Sequence, residues 1–182
     1  MQLRQLVAPR LGELPETRQA TISVDSALAP FIAAARTESV LVVCATGREA
    51  DETFSSLNFL RPGEVSVFPA WETLPHERLS PRADTVGRRL TTLRALKQGA
   101  PEARIIVTTI RALLAPIVAG LGEVAPIEFT VGRAMDMSAM VVRLVDGGYS
   151  RVDLVEKRGE FAVRGGIVDL FSPLYEHPMR IE

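Results

Sequence analysis

Residues 158–171 read RGEFAVRGGIVDLF, two short β-rich runs on either side of the pair Gly165-Gly166. A Gly-Gly pair between such runs is a strong signal for a β-hairpin with a two-residue turn. The predicted cross-strand pairs are Arg164–Ile167, Ala162–Asp169 and Glu160–Phe171. Because side chains alternate along a strand, one face of this hairpin is predicted to be apolar and the other charged. The apolar face carries Phe161, Val163, Val168 and Leu170, and the charged face carries Glu160, Arg164, Asp169 and Phe171.

The composition of the 182-residue chain, 47% hydrophobic and 24% charged, is that of an ordinary globular protein with one large or two small cores. A formal net charge of −1 gives no overall attraction to nucleic acid or to an anionic membrane. The single cysteine, Cys44, excludes an internal disulfide and fits a reducing compartment. No run approaches the ~18 apolar residues of a membrane span. One Cys and two separated His do not suggest a zinc site, so we expect no metal or cofactor.

Strands alternate with helices through the first two thirds of the chain. Val40–Cys44 and Arg104–Thr108 are nearly uniformly apolar, which is typical of strands buried on both faces of a parallel sheet. This order predicts an α/β fold with helices on both sides of the sheet. The predicted strands are Ala20–Val24, Val40–Cys44, Val65–Phe68 and Arg104–Thr108. The predicted helices run from Asp25 or Ser26 to Arg36, from Thr46 to Phe59, from Thr85 to Lys97 and from Ile110 to Ile117. Within the third helix, Val86, Leu90, Leu93 and Leu96 lie at helical spacing on one face.

After Gly120 the alternation ends, and a second domain is predicted. We place an α/β domain at 1–122 and a small α+β domain with an antiparallel sheet at 123–182. Its elements are a strand at Glu128–Val131, a helix opened by Asp136 or Ser138 and ended by Gly147-Gly148, and antiparallel strands from Tyr149 onward. The chain stops inside a predicted strand, so we expect a fragment of a longer protein that is truncated at the C-terminal end of its second domain.

The sequence contains no phosphate-binding loop. Such a loop needs GxxxxGK[ST], in which backbone amides and a lysine hold phosphates. The segment after the first predicted strand, DSALAP at 25–30, has neither Gly nor Lys. The turn ATGR at 45–48 could hold an anion at a helix N-terminus, but a single glycine favours a plain strand-to-helix turn. We therefore do not expect this chain to hydrolyse ATP.

The loop FPAWETLPHE, which starts at Phe68, contains the only tryptophan of the chain. It could contact a partner or hold an acid/base pair drawn from Glu72, His76 and Glu77. No nucleophile accompanies these groups, which weakens the catalytic interpretation. The favoured interpretation is that Phe68 and Trp71 anchor a long loop to the core.

Charged residues recur in the last strands of the chain. Arginine is well suited to bidentate pairing with carboxylates at protein interfaces. The alternatives are a solvated sheet face of weak intramolecular ion pairs and a protein-binding face, and the pattern favours neither. The residues are Arg151, Arg164 and Arg180 with Asp153, Asp169 and Glu182.

Two long motifs resemble the N-terminal UvrB-homology region (domains 1A and 2) of the bacterial transcription-repair coupling factor family (Mfd). The first is FPAWETLPHE from Phe68, followed by Ser80-Pro81; the second is GYSRVD at 148–153, followed by RGEFAVRGGI at 158–167. The resemblance extends over nearly the whole chain from about residue 20, and the order of the two motifs makes it specific. The second motif is also similar to the excision-repair helicase UvrB, whose module there docks onto the ATPase UvrA.

This resemblance implies a degenerate P-loop/RecA-like helicase domain followed by a UvrA-docking domain. By alignment of the motifs, Arg164 and Arg180 match arginines that contact UvrA, and Arg151 and Glu182 match further interface positions more loosely. The family continues past Glu182 with residues that close the second domain, so we expect weakened docking and a poorly held last strand.

The chain differs from UvrB in lacking the P-loop and the Tyr-rich hairpin that UvrB inserts into DNA. The resemblance therefore implies a non-catalytic, cytoplasmic bacterial adaptor that recruits UvrA to RNA polymerase stalled at DNA damage, without strong DNA binding of its own. It also implies an intramolecular partner, a C-terminal domain that masks the docking face in the full-length protein. The alternatives are a UvrB-like ATP-dependent DNA-repair helicase fragment and a purely autoinhibitory structural domain.

Overall fold

The computed structural model describes residues 25–73, 81–101, 104–123 and 125–182. The predicted strand Ala20–Val24 lies outside these ranges. The chain separates into two compact units, the first within Met1–Ala70 and Thr91–Gly122 and the second within Trp71–Leu90 and Glu123–Glu182. Residues 71–90, which we expected in the α/β domain, are thus grouped with the second unit. The division of the sequence into domains at 122/123 stays a prediction.

The first unit is a three-stranded parallel sheet flanked by helices, which confirms the predicted α/β fold class. The strands lie in the order β1-β3-β2, and Val40 and Val65 both pair with Ile105. The strands are β1 (Val40–Cys44), β2 (Val65–Phe68) and β3 (Ile105–Thr109), and the helices are α1 (Ala29–Ala35), α2 (Gly47–Leu60), α3 (Ala83–Gln98) and α4 (Ile110–Leu114). Of α3, only the part from Thr91 belongs to the first unit, and the part before it is grouped with the second. Short 3-10 turns occupy Ser26–Leu28 and Leu121–Glu123.

The central strand β3 has a core on each side. All five of its residues are buried. Ile105 and Val107 belong to one apolar cluster with Leu57 of α2, and Ile106 belongs to another with Phe68. Alternation of a continuous apolar run therefore supplies two cores at once, as predicted for a strand covered on both faces.

Strand β1 does not match its prediction of burial on both faces. Leu41 and Val43, which lie on the same face of the strand, are 52% and 42% exposed. The uniformly apolar sequence therefore predicted a strand here, but it did not predict how far each face of the strand is covered.

Two further details differ from the sequence pattern. Helix α3 buries a stripe of small and polar side chains, and Leu96, one of its four apolar residues at helical spacing, is 49% exposed. That stripe consists of Thr85, Arg89, Thr92 and Ala95. Residues Glu128–Val131 form no strand; Phe129 instead packs, half-buried, against the core of the second unit.

The second unit contains helix α5 (Met137–Asp146) and a separate four-stranded sheet. Asp136 caps the helix by accepting a hydrogen bond from the Ser138 amide at 2.9 Å, and Gly148 follows its end with φ +84°. The sheet has the order β4-β5-β6-β7 and is mixed, because β4 runs parallel to β5 while the other pairs are antiparallel as predicted. The strands are β4 (Ser150–Arg151), β5 (Glu160–Arg164), β6 (Ile167–Leu170) and β7 (Met179–Ile181).

The predicted hairpin is confirmed in register and in its apolar face. Arg164 pairs with Ile167 and Ala162 with Asp169, and the Phe171 amide donates to the Glu160 carbonyl at 3.0 Å. Phe161 and Val168 are completely buried. The core of the unit consists of Phe161, Val168 and Leu170 with Met140 and Leu144 of α5.

The turn of the hairpin yields a test with an internal control. Gly165 has φ +61° and Gly166 does not have a positive φ, and a Cβ on either glycine would have no atom within 4 Å. We expect Gly165→Ala to lower the free energy of unfolding by about 1 kcal/mol, because an L side chain is strained in the left-handed region. Gly166→Ala should change it much less. Chemical denaturation measures both, and equal effects would contradict the assigned turn.

Candidate protein-docking surface

The four residues predicted to contact a partner all lie in or beside the second sheet. Arg151 is on β4, Arg164 ends β5, Arg180 is the middle residue of β7, and Glu182 follows β7. All four side chains are exposed. Together with Asp169 of β6 they are called the arginine face below.

Arg180 and Asp169 form a two-pronged ion pair across neighbouring strands. The two residues are register partners. The Arg180 Nε donates to Asp169 Oδ1 at 2.7 Å, and Nη2 donates to Oδ2 at 2.9 Å. These hydrogen bonds lower the pKa of the Asp169 carboxyl and raise that of the Arg180 guanidinium, which the charge of Glu182 raises further.

Arg164 is held by the backbone and not by a carboxylate. Its Nη2 donates to the Asp153 carbonyl oxygen at 2.7 Å. The Arg164 charge also contributes to the lowered pKa of Asp169. The arrangement therefore connects Arg164, Asp169 and Arg180 electrostatically, with the acidic residue on the strand between the two arginines.

Arg151 reaches the surface in a different way from Arg164. The parallel register pairs Arg151 with the core-facing Phe161, and alternation therefore does not set it in line with Ala162 and Arg164. The single sheet face that we predicted for all three arginines is thus not formed. Arg151 and Arg164 instead line the same open depression at the sheet edge, which has a volume of about 590 Å³ and is also lined by Val152, Asp153 and Val163.

Part of the predicted charged face of the hairpin serves the fold. Ala162 is 2% exposed. The Glu160 carboxylate accepts hydrogen bonds from the amides of Glu156 and Lys157 at 2.9 and 2.8 Å, which lower its pKa. Arg158 lies 5.1 Å from the centre of the Phe171 ring. The sequence did not predict the roles of Glu160 and of the Asp153 carbonyl, because contacts with backbone groups do not require a particular pattern of side chains.

The other candidate sites are engaged in structural contacts. At the turn 45–48, Thr46 Oγ1 accepts from the Glu49 amide at 3.2 Å and the Glu49 carboxylate accepts from the Ala45 amide at 2.9 Å. This arrangement is similar to a capping box, with the Ala45 amide in place of the amide of the N-cap residue Thr46, and it supports the plain turn over an anion site. Cys44 is buried, and desolvation raises the pKa of its thiol, as fits a core residue. Within the described ranges no group of three metal-ligating side chains occurs.

The described part of the tryptophan loop is packed within the second unit. The guanidinium of Arg89, 1% exposed, lies 4.1 Å from the Trp71 ring centre, and burial lowers its pKa. Thr85 Oγ1 donates to the Glu72 carboxylate. These contacts favour the anchoring interpretation, while His76 and Glu77 lie outside the described residues. None of the helices in the described ranges has the length and apolar character required to cross a bilayer.

Comparison with known proteins gives the surface a context. The family model described as the UvrB interaction domain matches residues 127–182. The transcription-repair-coupling factor of Mycobacterium tuberculosis is 45% identical over 98% of this chain and 15% of its own length. Those of Myxococcus xanthus and Bacillus subtilis are 36% and 32% identical over 78% and 69% of this chain, and 12% and 10% of their own lengths.

The chain belongs to the transcription-repair-coupling factor family. It corresponds to the UvrB-homology region of these factors, as the two sequence motifs predicted. The segment that matches the UvrB interaction domain includes α5, all four strands of the second sheet and the whole arginine face. In this coupling-factor homologue the arginine face therefore lies inside the segment that matches the UvrB interaction domain.

The ion pair of the arginine face predicts a titration. Because Arg180 lowers the pKa of Asp169 in the folded state, the pair stabilises the fold above the ordinary aspartate pKa, about 3.9. That contribution is lost as the pH falls through the lowered folded-state value. Arg180→Ala should raise the pKa of Asp169, measured by NMR of its side-chain carboxyl carbon. Arg164→Ala should raise the pKa of Asp169 less. If Arg180→Ala left the pKa of Asp169 unchanged, the observed pairing would be contradicted.

Proposed function

We propose that this chain is a non-catalytic adaptor, in which the second unit docks the repair protein UvrA and the α/β unit is the scaffold. The observation that carries the proposal is the match of the UvrB interaction domain to residues 127–182, because this segment contains the arginine face. The bidentate chemistry of arginine suits carboxylates on a protein partner, so the docking surface of UvrA would be acidic.

The geometry of two arginines favours docking over a loosely solvated surface. Arg164 is fixed by a carbonyl oxygen and Arg180 by a carboxylate. Both guanidinium groups remain exposed and have further donors. Arginines that are ordered before binding lose less conformational entropy on association, which is an advantage at an interface.

The remaining steps involve the rest of the protein, since the chain spans about 15% of the length of its mycobacterial relative. We propose that the full-length factor carries UvrA to RNA polymerase stalled at DNA damage. A C-terminal domain would mask the arginine face until ATP-driven opening releases it, so that recruitment becomes conditional. The relatives' name, transcription-repair-coupling factor, supports this role.

Docking predicts a large and localised effect of substitution. Arg164→Ala and Arg180→Ala should each weaken binding of purified UvrA by about 30-fold or more, the loss expected for a central interface arginine. The matched control is Arg48→Ala, because Arg48 is an arginine with an 88% exposed side chain on α2 of the first unit. Surface plasmon resonance measures the affinities.

The outcomes of this binding experiment separate the alternatives. Wild-type affinity for both arginine variants would overturn the arginine face as the docking site. The autoinhibitory alternative would be favoured if the wild-type chain did not bind UvrA but did bind the C-terminal part of the full-length factor.

The non-catalytic assignment has its own test. The sequence lacks GxxxxGK[ST], the motif that precedes a helix in phosphate-binding loops. The helix at the corresponding place is α1, which has Pro30 in its first turn. A fluorescent ATP analogue titrated against the purified chain should give no saturable signal in the micromolar range. Micromolar binding would contradict the adaptor and favour the UvrB-like helicase alternative.

A further inference from the structure

Asp169 lies at the centre of the arginine face. It is on β6, paired with Ala162 of β5 on one side and with Arg180 of β7 on the other. The side chain of Asp169 is 23% exposed and that of Arg180 is 58% exposed. The carboxylate is therefore the inner member of the pair, and the guanidinium lies outside it.

The two hydrogen bonds use only one edge of the Arg180 guanidinium. Nε and one N–H of Nη2 are directed to Asp169. An arginine has five N–H donors in a rigid fork. The adjacent edge, formed by Nη1 and the second N–H of Nη2, has the spacing that receives a carboxylate in a two-pronged contact.

We propose that Asp169 is a positioning residue for docking, which holds Arg180 so that the outer edge of its guanidinium receives a carboxylate of the partner. This inference rests on the proposed docking of UvrA. Asp169 also offsets the repulsion between Arg164 and Arg180, because its carboxylate lies within the electrostatic reach of both. It acts through the arginines and does not itself contact the partner.

Positioning and simple charge attraction predict changes of opposite sign in affinity when the negative charge of Asp169 is removed. For an acidic partner, removal of one negative charge from the face should strengthen binding and speed association. If Asp169 orders Arg180, its removal should weaken binding, because the freed guanidinium must be immobilised on association. The sign of the change in affinity therefore decides between them.

The experiment compares Asp169→Asn with Asp153→Asn in the whole chain, using surface plasmon resonance with purified UvrA. Both variants remove one negative charge, Asp169→Asn beside Arg180 and Asp153→Asn in the residue whose backbone contacts Arg164. Asp153→Asn keeps the carbonyl oxygen that holds Arg164, and no side-chain contact with Arg180 is affected. We expect Asp169→Asn to weaken binding about three- to tenfold through faster dissociation. Asp153→Asn should bind as well as the wild type or slightly better.

Two further readouts separate positioning from a general structural effect. In the Arg180→Ala background, Asp169→Asn should cause no additional loss of affinity, because its effect passes through Arg180. In the free chain, the Arg180 Nε–H signal in 15N NMR should be protected from exchange in the wild type and in Asp153→Asn, but not in Asp169→Asn. Circular dichroism verifies that each variant is folded.

Each outcome has a definite meaning. Asp169→Asn binding as tightly as the wild type or more tightly, or losing as much affinity without Arg180 as with it, overturns the positioning role and leaves the proposed function intact. A wild-type chain that does not bind UvrA overturns the proposed function and this inference with it.

Discussion

The burial of Phe161 and Val168 against α5 determines what the second unit can present to solvent. Both side chains are completely buried, and a shift of one residue in the hairpin would bring polar neighbours into this core. The register is therefore fixed by apolar packing. It is this register that sets Asp169 opposite Arg180 and ends β5 at Arg164. The positions of the charged side chains are therefore set by apolar packing on the other side of the sheet, which supplies the stabilising free energy.

Sequence patterns predicted those features in which a local rule and the tertiary environment agree. The Gly165-Gly166 turn, the fully buried β3 and the helix opened by Thr46 were predicted because turn chemistry, apolar runs and capping act over a few residues. The exposure of Leu41 could not be predicted, since the elements that cover a face of a strand are not a property of that strand. Phe129 likewise packs without a partner strand, which β-propensity does not distinguish from pairing.

The candidate site was predicted in its residue types and only partly in its geometry. Charged residues in several of the last strands indicated a charged face, but the parallel register of β4 places Arg151 at the sheet edge and apart from the line of Arg164. The partners that hold the arginines were also not apparent. A carbonyl oxygen such as that of Asp153 is present at every position of a chain, so only the fold shows which one is used.

The two-residue turn at Gly165 has a consequence for how this surface can diverge among relatives. With only two residues between β5 and β6, a residue added in the turn requires a longer loop of another turn type, and a residue added within either strand would exchange the faces of that strand and disrupt the core. Substitution at exposed positions such as Arg164 leaves the backbone and the core unchanged. The charge pattern of the surface can thus change one side chain at a time, while the core constrains the alternation of residues within the two strands.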